Sequence, residues 1–245
     1  MSPTSSEKPN FRPSQSRLIE KQIATSFFGR RKGKPLSPSQ QKLIDELLPR
    51  ISLNPTVPIS DIFAQFSNDP TEIWMEIGFG GGEHLVRQAG NNPHVGLIGC
   101  EPFINGAVKA LAAIEEQGLD NIRMYDEDAA HILDWLPASS LDRIFLLYPD
   151  PWHKKRHWKR RFVSARNLER IARVLKPGGI FRFASDIKNY VSWTLDHVSA
   201  CDALSEQSGE VGERLVPWPD WQRTRYEAKA FREGRTPQYL TFVRA

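Results

Sequence analysis

The chain has little cysteine and no long apolar run. Only two of its 245 residues are Cys, and Cys100 and Cys201 stand far apart. That excludes a disulfide framework and a cysteine-based metal site, and it suits a reducing compartment. No stretch approaches the roughly 20 apolar residues of a membrane-spanning helix. The start, Met1 to Glu7, lacks the apolar core of a secretory leader. Internal repeats are absent, and no His, Cys, Asp or Glu cluster has metal-ligand spacing. These absences exclude the membrane, secreted and metal-dependent classes, and the expectation is a cytoplasmic protein without a metal.

What is present is ordinary in amount and uneven in placement. Hydrophobic residues make up 40% and charged residues 25%, enough for a full core at this length. The simplest organisation is an arm over 1–34 followed by one domain over 35–245. The net charge is only +4, but the cations gather at 30–34 and 154–161. An acidic partner is indicated, nucleic acid first. Residues 1–16, rich in Ser, Pro and Asn, have the composition of a disordered segment. In 17–34 the apolar Ile19, Ile23, Phe27 and Phe28 mix with Arg30, Arg31, Lys32 and Lys34. The segment reads either as a solvated tail or as a basic arm that folds onto RNA.

Ser37-Pro38-Ser39-Gln40 predicts a helix start, with Ser37 as cap and Pro38 in the first turn. Leu43, Ile44, Leu47 and Leu48 form its apolar face, and Pro49 and Pro55 close it. From Ile73 onward strands alternate with helices. Strands are predicted at 73–78, 95–100, 121–125, 141–148 and 180–185. Helices are predicted at 83–89, 104–117, through Ile132-Leu133-Trp135, at 162–175 and at 190–198, with Gly118 and Lys176-Pro177-Gly178-Gly179 as stops. This is the pattern of an α/β, Rossmann-like, doubly wound and mostly parallel sheet. The segment 218–234 reads as a polar, aromatic tail. Gln238 to Val243 alternates like a late antiparallel edge strand.

The fourth strand ends in Pro149-Asp150-Pro151. Neither proline donates a ladder hydrogen bond, and each drives the residue before it out of the helical region. Asp150 is therefore expected in a stiff, extended turn. The nine residues from His153 to Arg161 then hold six Lys/Arg, two His and one Trp. One reading is a solvated basic helix start. Trp152 and Trp158 favour a second reading, because interleaved aromatics can stack on bases.

Four of the five residues from Gly78 to Gly82 are Gly, directly after the first strand. Such a loop, led by Gly78 and Gly80, lets a nucleotide approach the sheet edge. A dinucleotide fingerprint requires a third glycine where Glu83 stands, and that carboxylate would repel a diphosphate. S-adenosylmethionine carries no phosphate but an ammonium and a sulfonium, and Glu76 supplies a matching negative charge. The next strands also end in acids. Glu101 is placed to accept from ribose hydroxyls and Asp128 from an adenine amino group, although Asp128 equally suits a helix N-cap.

With Glu76-Ile77-Gly78-Phe79-Gly80 upstream, the run Tyr148-Pro149-Asp150-Pro151-Trp152-His153-Lys154-Lys155-Arg156-His157 closely resembles the bacterial tRNA (guanine-N7)-methyltransferases. Arg30-Arg31, Ser185-Asp186 and Thr224-Arg225-Tyr226-Glu227 extend the resemblance, which runs from about residue 25 to the end. It implies transfer of a methyl group from S-adenosylmethionine to guanosine N7 at position 46 of the tRNA variable loop. It implies cofactor contacts from Glu76, Glu101, Asp128 and Asp150, with Asp150 at the active site. It also implies tRNA contacts from Lys154, Arg156, His157, Trp158, Lys159, Arg160, Arg161, Asp186, Thr224, Arg225, Tyr226 and Glu227. For Asp186 a helix N-cap is the competing reading. Thr224 and Glu227 alone would pass for surface polar residues. The assembly state stays open between monomer and homodimer. Two other functions stay in view: methylation of an exocyclic amine on DNA or RNA, and RNA binding without catalysis. The first would usually place Asn or Asp before Pro-Pro-aromatic, and intact acids at 76, 101 and 128 argue against the second.

Overall fold

The computed structural model describes residues 28–207 and 212–245. The readings on residues 1–27, including the polar stretch 1–16 and the apolar Ile19, Ile23 and Phe27, lie outside the described residues.

The described strands are β1 (Glu72–Ile77), β2 (Val95–Cys100), β3 (Ile122–Tyr125), β4 (Leu141–Leu147), β5 (Leu175–Ser185), β6 (Leu204–Glu206) and β7 (Gln238–Arg244). They form one sheet in the order β3-β2-β1-β4-β5-β7-β6. β1 to β5 pair in parallel, and β7 runs antiparallel to both neighbours. The expected doubly wound sheet with a late antiparallel strand is thus the fold. The short β6, which has too few residues to leave a sequence pattern, lies outside β7. Strand order reverses between β1 and β4, and in such sheets ligands bind beyond the strand ends at that switch point.

The helices are α1 (Pro38–Lys42), α2 (Leu48–Ile51), α3 (Glu83–Asn91), α4 (Ile104–Gln117), α5 (Ala129–Trp135), α6 (Ala165–Val174), α7 (Lys188–Ser199) and α8 (Arg225–Arg232). Strand periodicity of two sends Ile73, Met75 and Ile77 into one core layer, with Ile132, Leu168, Ile171 and Val191 from α5, α6 and α7. Trp74 points the other way, toward Leu85 and Val86 of α3 and Ala107, Ala110 and Leu111 of α4. Glu76 shares that second face, so a carboxylate enters an apolar layer and needs a partner there. No described helix is long and apolar enough to cross a membrane.

Several predicted boundaries are corrected. Ser37 caps α1 in a reciprocal box with Gln40, as its sequence requires. Pro49, however, does not end the helical segment but lies inside α2. The turn before it widens: Leu48 N–H bonds the carbonyl of Leu43, five residues back, which relieves the clash a proline ring makes in a regular turn. α6 starts at Ala165 rather than 162, because the Ser164 side chain caps it by accepting from Asn167 N. Lys176 to Gly179 does not separate a helix from a strand. β5 begins at Leu175, and its register against β4 jumps from Leu141↔Leu175 to Arg143↔Ile180. The Pro-Gly pair is extruded as an irregularity, while Lys176 Nζ returns to Asp142 at 2.7 Å. The supposed tail 218–234 contains α8, whose start is fixed by Thr224 accepting from Glu227 N at 3.2 Å.

One close approach sets the glycine loop against the fold. A Cβ at Gly106, in the first turn of α4, would lie 2.2 Å from the carbonyl oxygen of Gly80. Gly106→Ala is therefore expected to destabilise the protein by about 1–3 kcal/mol through overpacking. Urea unfolding checks this, and an unchanged midpoint would mean the loop yields freely.

Candidate active site

A cavity of about 540 Å³ opens at the carboxyl ends of β1, β2 and β4. Its walls include Gly78 and Gly80, the acids Glu101, Asp128 and Asp150, and the aromatics Trp152 and Tyr226. Gly78 (φ +71°) and Gly80 (φ +60°) are left-handed, a conformation glycine takes without steric cost. Between them Phe79 turns inward and is buried in the core. The loop is thus anchored by an apolar plug and presents bare backbone to the cavity.

Glu101 secures the loop from the next strand. Its Oε2 accepts from Gly80 N–H at 2.7 Å, and its Oε1 accepts from Phe103 N–H at 2.9 Å. Burial pushes its pKa above the ordinary glutamate value, and the charges of Asp150 and Glu76 add to the rise. The two N–H donors oppose it. Asp128 fulfils the capping alternative: it accepts from Ala130 N at 2.9 Å at the start of α5. It lines the cavity as well, so capping and ligand contact are compatible at this position.

Glu76 does not line the cavity. It is buried, and its Oε2 lies 2.8 Å from Nδ1 of the equally buried His84. Gln88 stands 3.2 Å from the other ring nitrogen, and Phe145 meets the ring edge-on at 4.7 Å. Sequence reasoning missed His84. The available signal was a histidine in the first turn of α3, on the face that packs over β1.

The turn at 148–152 is strained on both sides of Asp150. Tyr148 (φ +50°) and Trp152 (φ +45°) are left-handed bulky residues, a conformation that costs on the order of 1–3 kcal/mol each. Asp150 between them is exposed. Tyr148 N–H bonds Ala184 O at 2.8 Å. Arg161 Nε holds Pro151 O at 3.0 Å, and its other nitrogens hold Asn189 O and Oδ1 at 3.2 and 2.7 Å. The Arg161 guanidinium also lies 4.5 Å from the ring centre of Trp158 and 4.6 Å from that of Tyr190. Arg161, expected among the RNA-facing cations, is thus buried as a clasp.

The rest of the run remains outward. Lys154, Lys155, Arg156 and Lys159 are exposed. The segment Lys155–Arg160 is a 3₁₀ turn rather than the start of an α-helix. Arg160 lies between Trp152 and Phe28, 5.0 and 5.2 Å from the ring centres. Trp158 packs edge-on against Trp193. The pKa of His157 is held below its ordinary value, first by partial desolvation and then by Arg160, Arg156, Lys154 and Lys159.

Phe28, Gly29 and Arg30 also line the cavity; the Arg30-Arg31 motif marked this stretch without assigning it to the cavity. The segment that follows is tied down by Ile104 N–H to Arg31 O at 3.0 Å and by an Asn105 fork. Asn105 Oδ1 takes Gly33 N–H, and Nδ2 gives to Lys34 O, both at 2.7 Å. Asp186 is neither in the cavity wall nor a cap. It pairs with Arg235, while Ser185 Oγ accepts from Ile187 N at 3.2 Å. The motif Thr224–Glu227 divides. Thr224 caps α8, and buried Glu227 accepts from Trp221 Nε1 at 2.8 Å and from the Tyr239 hydroxyl. Arg225 and Tyr226 point to the glycine loop, and a Cβ at Gly80 would come 3.1 Å from the Tyr226 hydroxyl.

Residues 70–239 match a family described as "Putative methyltransferase". Over 222 residues the chain is 55% identical to a tRNA (guanine-N(7)-)-methyltransferase of Brucella melitensis, covering 90% of this chain and 95% of that relative. A tRNA (guanine-N(7)-)-methyltransferase of Mesorhizobium japonicum is 51% identical over 238 residues, with 96% and 99% covered. Among solved structures, TrmN from Thermus thermophilus aligns with a TM-score of 0.52 at 16% identity, over 72% of this chain and 45% of that one. The 16S rRNA methyltransferase KamB aligns with a TM-score of 0.50 at 15% identity, over 77% and 95%. At those identities the two structures speak for the fold alone.

The raised pKa of Glu101 has a definite sign for stability. Between the ordinary value and the raised one, the folded protein holds a proton that the unfolded chain has released. Stability therefore falls as pH rises through that window. The difference in urea midpoint between wild type and Glu101→Gln, followed from pH 4 to 7, should carry this slope. A flat difference would mean the carboxyl titrates normally.

Proposed function

The chain belongs to the tRNA (guanine-N(7)-)-methyltransferase family, and from that membership we propose that it methylates the guanosine at position 46 of the tRNA variable loop, with Asp150 at the reaction centre. Guanine N7 of tRNA is the acceptor and S-adenosylmethionine the methyl donor. The observation that carries the residue assignment is one junction. Asp150 stands where an acid-lined cavity meets an exposed cationic and aromatic run.

The cavity fits the cofactor. Its volume is in the range of small-molecule sites, and its three acids suit a cationic nucleoside without phosphates. S-adenosylmethionine supplies an electrophilic methyl group. Gly78 and Gly80 give it room against the backbone, and Glu101 and Asp128 accept from its hydroxyl and amino groups. Glu76 acts from beneath the loop, oriented by His84. Guanine N7 is an unprotonated lone pair at neutral pH, so its methylation removes no proton from N7 and needs no general base. Asp150 accepts from guanine N1–H and the amino group, and catalysis is positioning and electrostatics. Lys154, Arg156, His157, Trp158, Lys159 and Arg160 meet the tRNA, joined by Arg225 and Tyr226. Arg161, Asp186, Thr224 and Glu227 support that surface from behind.

Methyl transfer to unmodified tRNA, followed by borohydride–aniline cleavage at 7-methylguanosine, should give a single cut in the variable loop. A cut elsewhere, or none, overturns the assignment. Asp150→Ala should lower kcat about 100-fold through lost positioning while the circular dichroism spectrum is preserved. A kcat within threefold of wild type would remove Asp150 from the centre. If the four exposed cations of the run, Lys154, Lys155, Arg156 and Lys159, each meet a phosphate, log K for tRNA falls with log salt at a slope of roughly −2.8 to −3.6. A flat response would take the run out of the interface.

A further inference from the structure

A second depression, of about 570 Å³, lies across the glycine loop from the cavity. Its lining includes Gly81 and Glu83, Arg87 of α3, Lys109 of α4 and Arg225 of α8. Three cations therefore face one carboxylate. Glu83 is engaged by Arg225, with Nε and Oε1 3.4 Å apart. The Arg225 guanidinium lies against the loop, where a Cβ on Gly81 would be 3.1 Å from both terminal nitrogens. Lys109 is exposed. Arg87 differs from an ordinary surface arginine: its Nη1 is buried and has no hydrogen-bond partner. A buried, unpaired donor of this kind is costly, and more so on a charged group. The depression thus has a surplus of positive charge and a donor without an acceptor.

We propose that this cleft binds a phosphate of the substrate RNA backbone, next to the nucleotide that enters the cavity. The inference rests on the tRNA reading above. Arg225 and Tyr226 are consecutive, and they line the cleft and the cavity respectively. A strand whose base passes Tyr226 carries its flanking phosphate over Gly81, between Arg225 and Arg87. Guanidinium forks match phosphate oxygens in geometry and charge, and such contacts set the register of a nucleic acid rather than read its sequence. Arg87 and Lys109 then extend the footprint beyond the 154–160 run, on the other side of the cofactor.

The test is the double variant Arg87→Gln/Lys109→Gln in the full chain, with unmodified tRNA as ligand. The expected result is a salt slope shallower by about 1.4 to 1.8 than wild type, from two lost phosphate contacts. KM for tRNA should rise about tenfold, with kcat and the Kd for S-adenosylmethionine within twofold. Lys176→Gln, at the opposite end of the sheet, removes a charge without entering the cleft and should leave the slope unchanged. An unchanged slope in the double variant overturns the proposal, and so does weakened cofactor binding with normal tRNA binding. Should wild type bind tRNA yet make no 7-methylguanosine, the functional reading fails. A slope change in the double variant would then still support the cleft as an RNA site.

Discussion

The bond from Gly80 N–H to the Glu101 carboxylate is the constraint on which the site depends. It joins the loop after β1 to the end of β2 and fixes the distance between two walls of one cavity. The other oxygen of Glu101 grips Phe103 N–H, which sets the entry to α4. α4 in turn presses Gly106 against the Gly80 carbonyl. The hydrogen bond and the steric stop act on one residue of the loop, Gly80. A loop rich in glycine would otherwise be the least ordered part of the sheet edge. Here its freedom is used only for shape, because the neighbouring strand and helix have removed its freedom to move.

A second support works on the other side of the cavity. The turn around Asp150 keeps two bulky residues in a left-handed backbone, which persists only where the surroundings over-determine it. Arg161 supplies much of that determination, since one planar group ties Pro151 to Asn189 and fills the space among Trp158, Tyr190 and Trp193. The exposed acid is therefore rigid although solvent reaches it. Rigidity of that kind suits a group that orients a base without exchanging a proton with it.

Much of this was legible in the sequence, for identifiable reasons. Periodicity and glycine stops located β2 and α4 to the residue, because buried parallel strands and amphipathic helices leave strong patterns. Acids at the ends of β2 and β3, and a proline-bracketed acid after β4, mark the cavity, since parallel topology brings those ends together. What failed was local chemistry overriding pattern. α8 buries little besides Ala230 and Glu227, so no apolar stripe announced it, and its start depends on one Thr cap. Lys176-Pro177-Gly178-Gly179 reads as a terminator, and only pairing with β4 shows that the strand begins before it. Glu76 was legible as a charge but not as a partner of His84, because that contact depends on how α3 lies over β1. Arg161 was indistinguishable from its five cationic neighbours, since the sequence gives no sign of which one turns inward.

That inward turn divides a single basic stretch into two kinds of position. At Lys154, Lys155, Arg156 and Lys159 a side chain needs only to carry positive charge into solvent, and lysine and arginine should replace one another with little effect. At Arg161 the requirement is a flat, forked donor of fixed length between aromatic faces, which a lysine ammonium cannot reproduce. Across relatives, the outer positions should drift between the two cations while position 161 stays arginine. A substitution there would change in step with Trp158, Tyr190 or Asn189 rather than with the RNA.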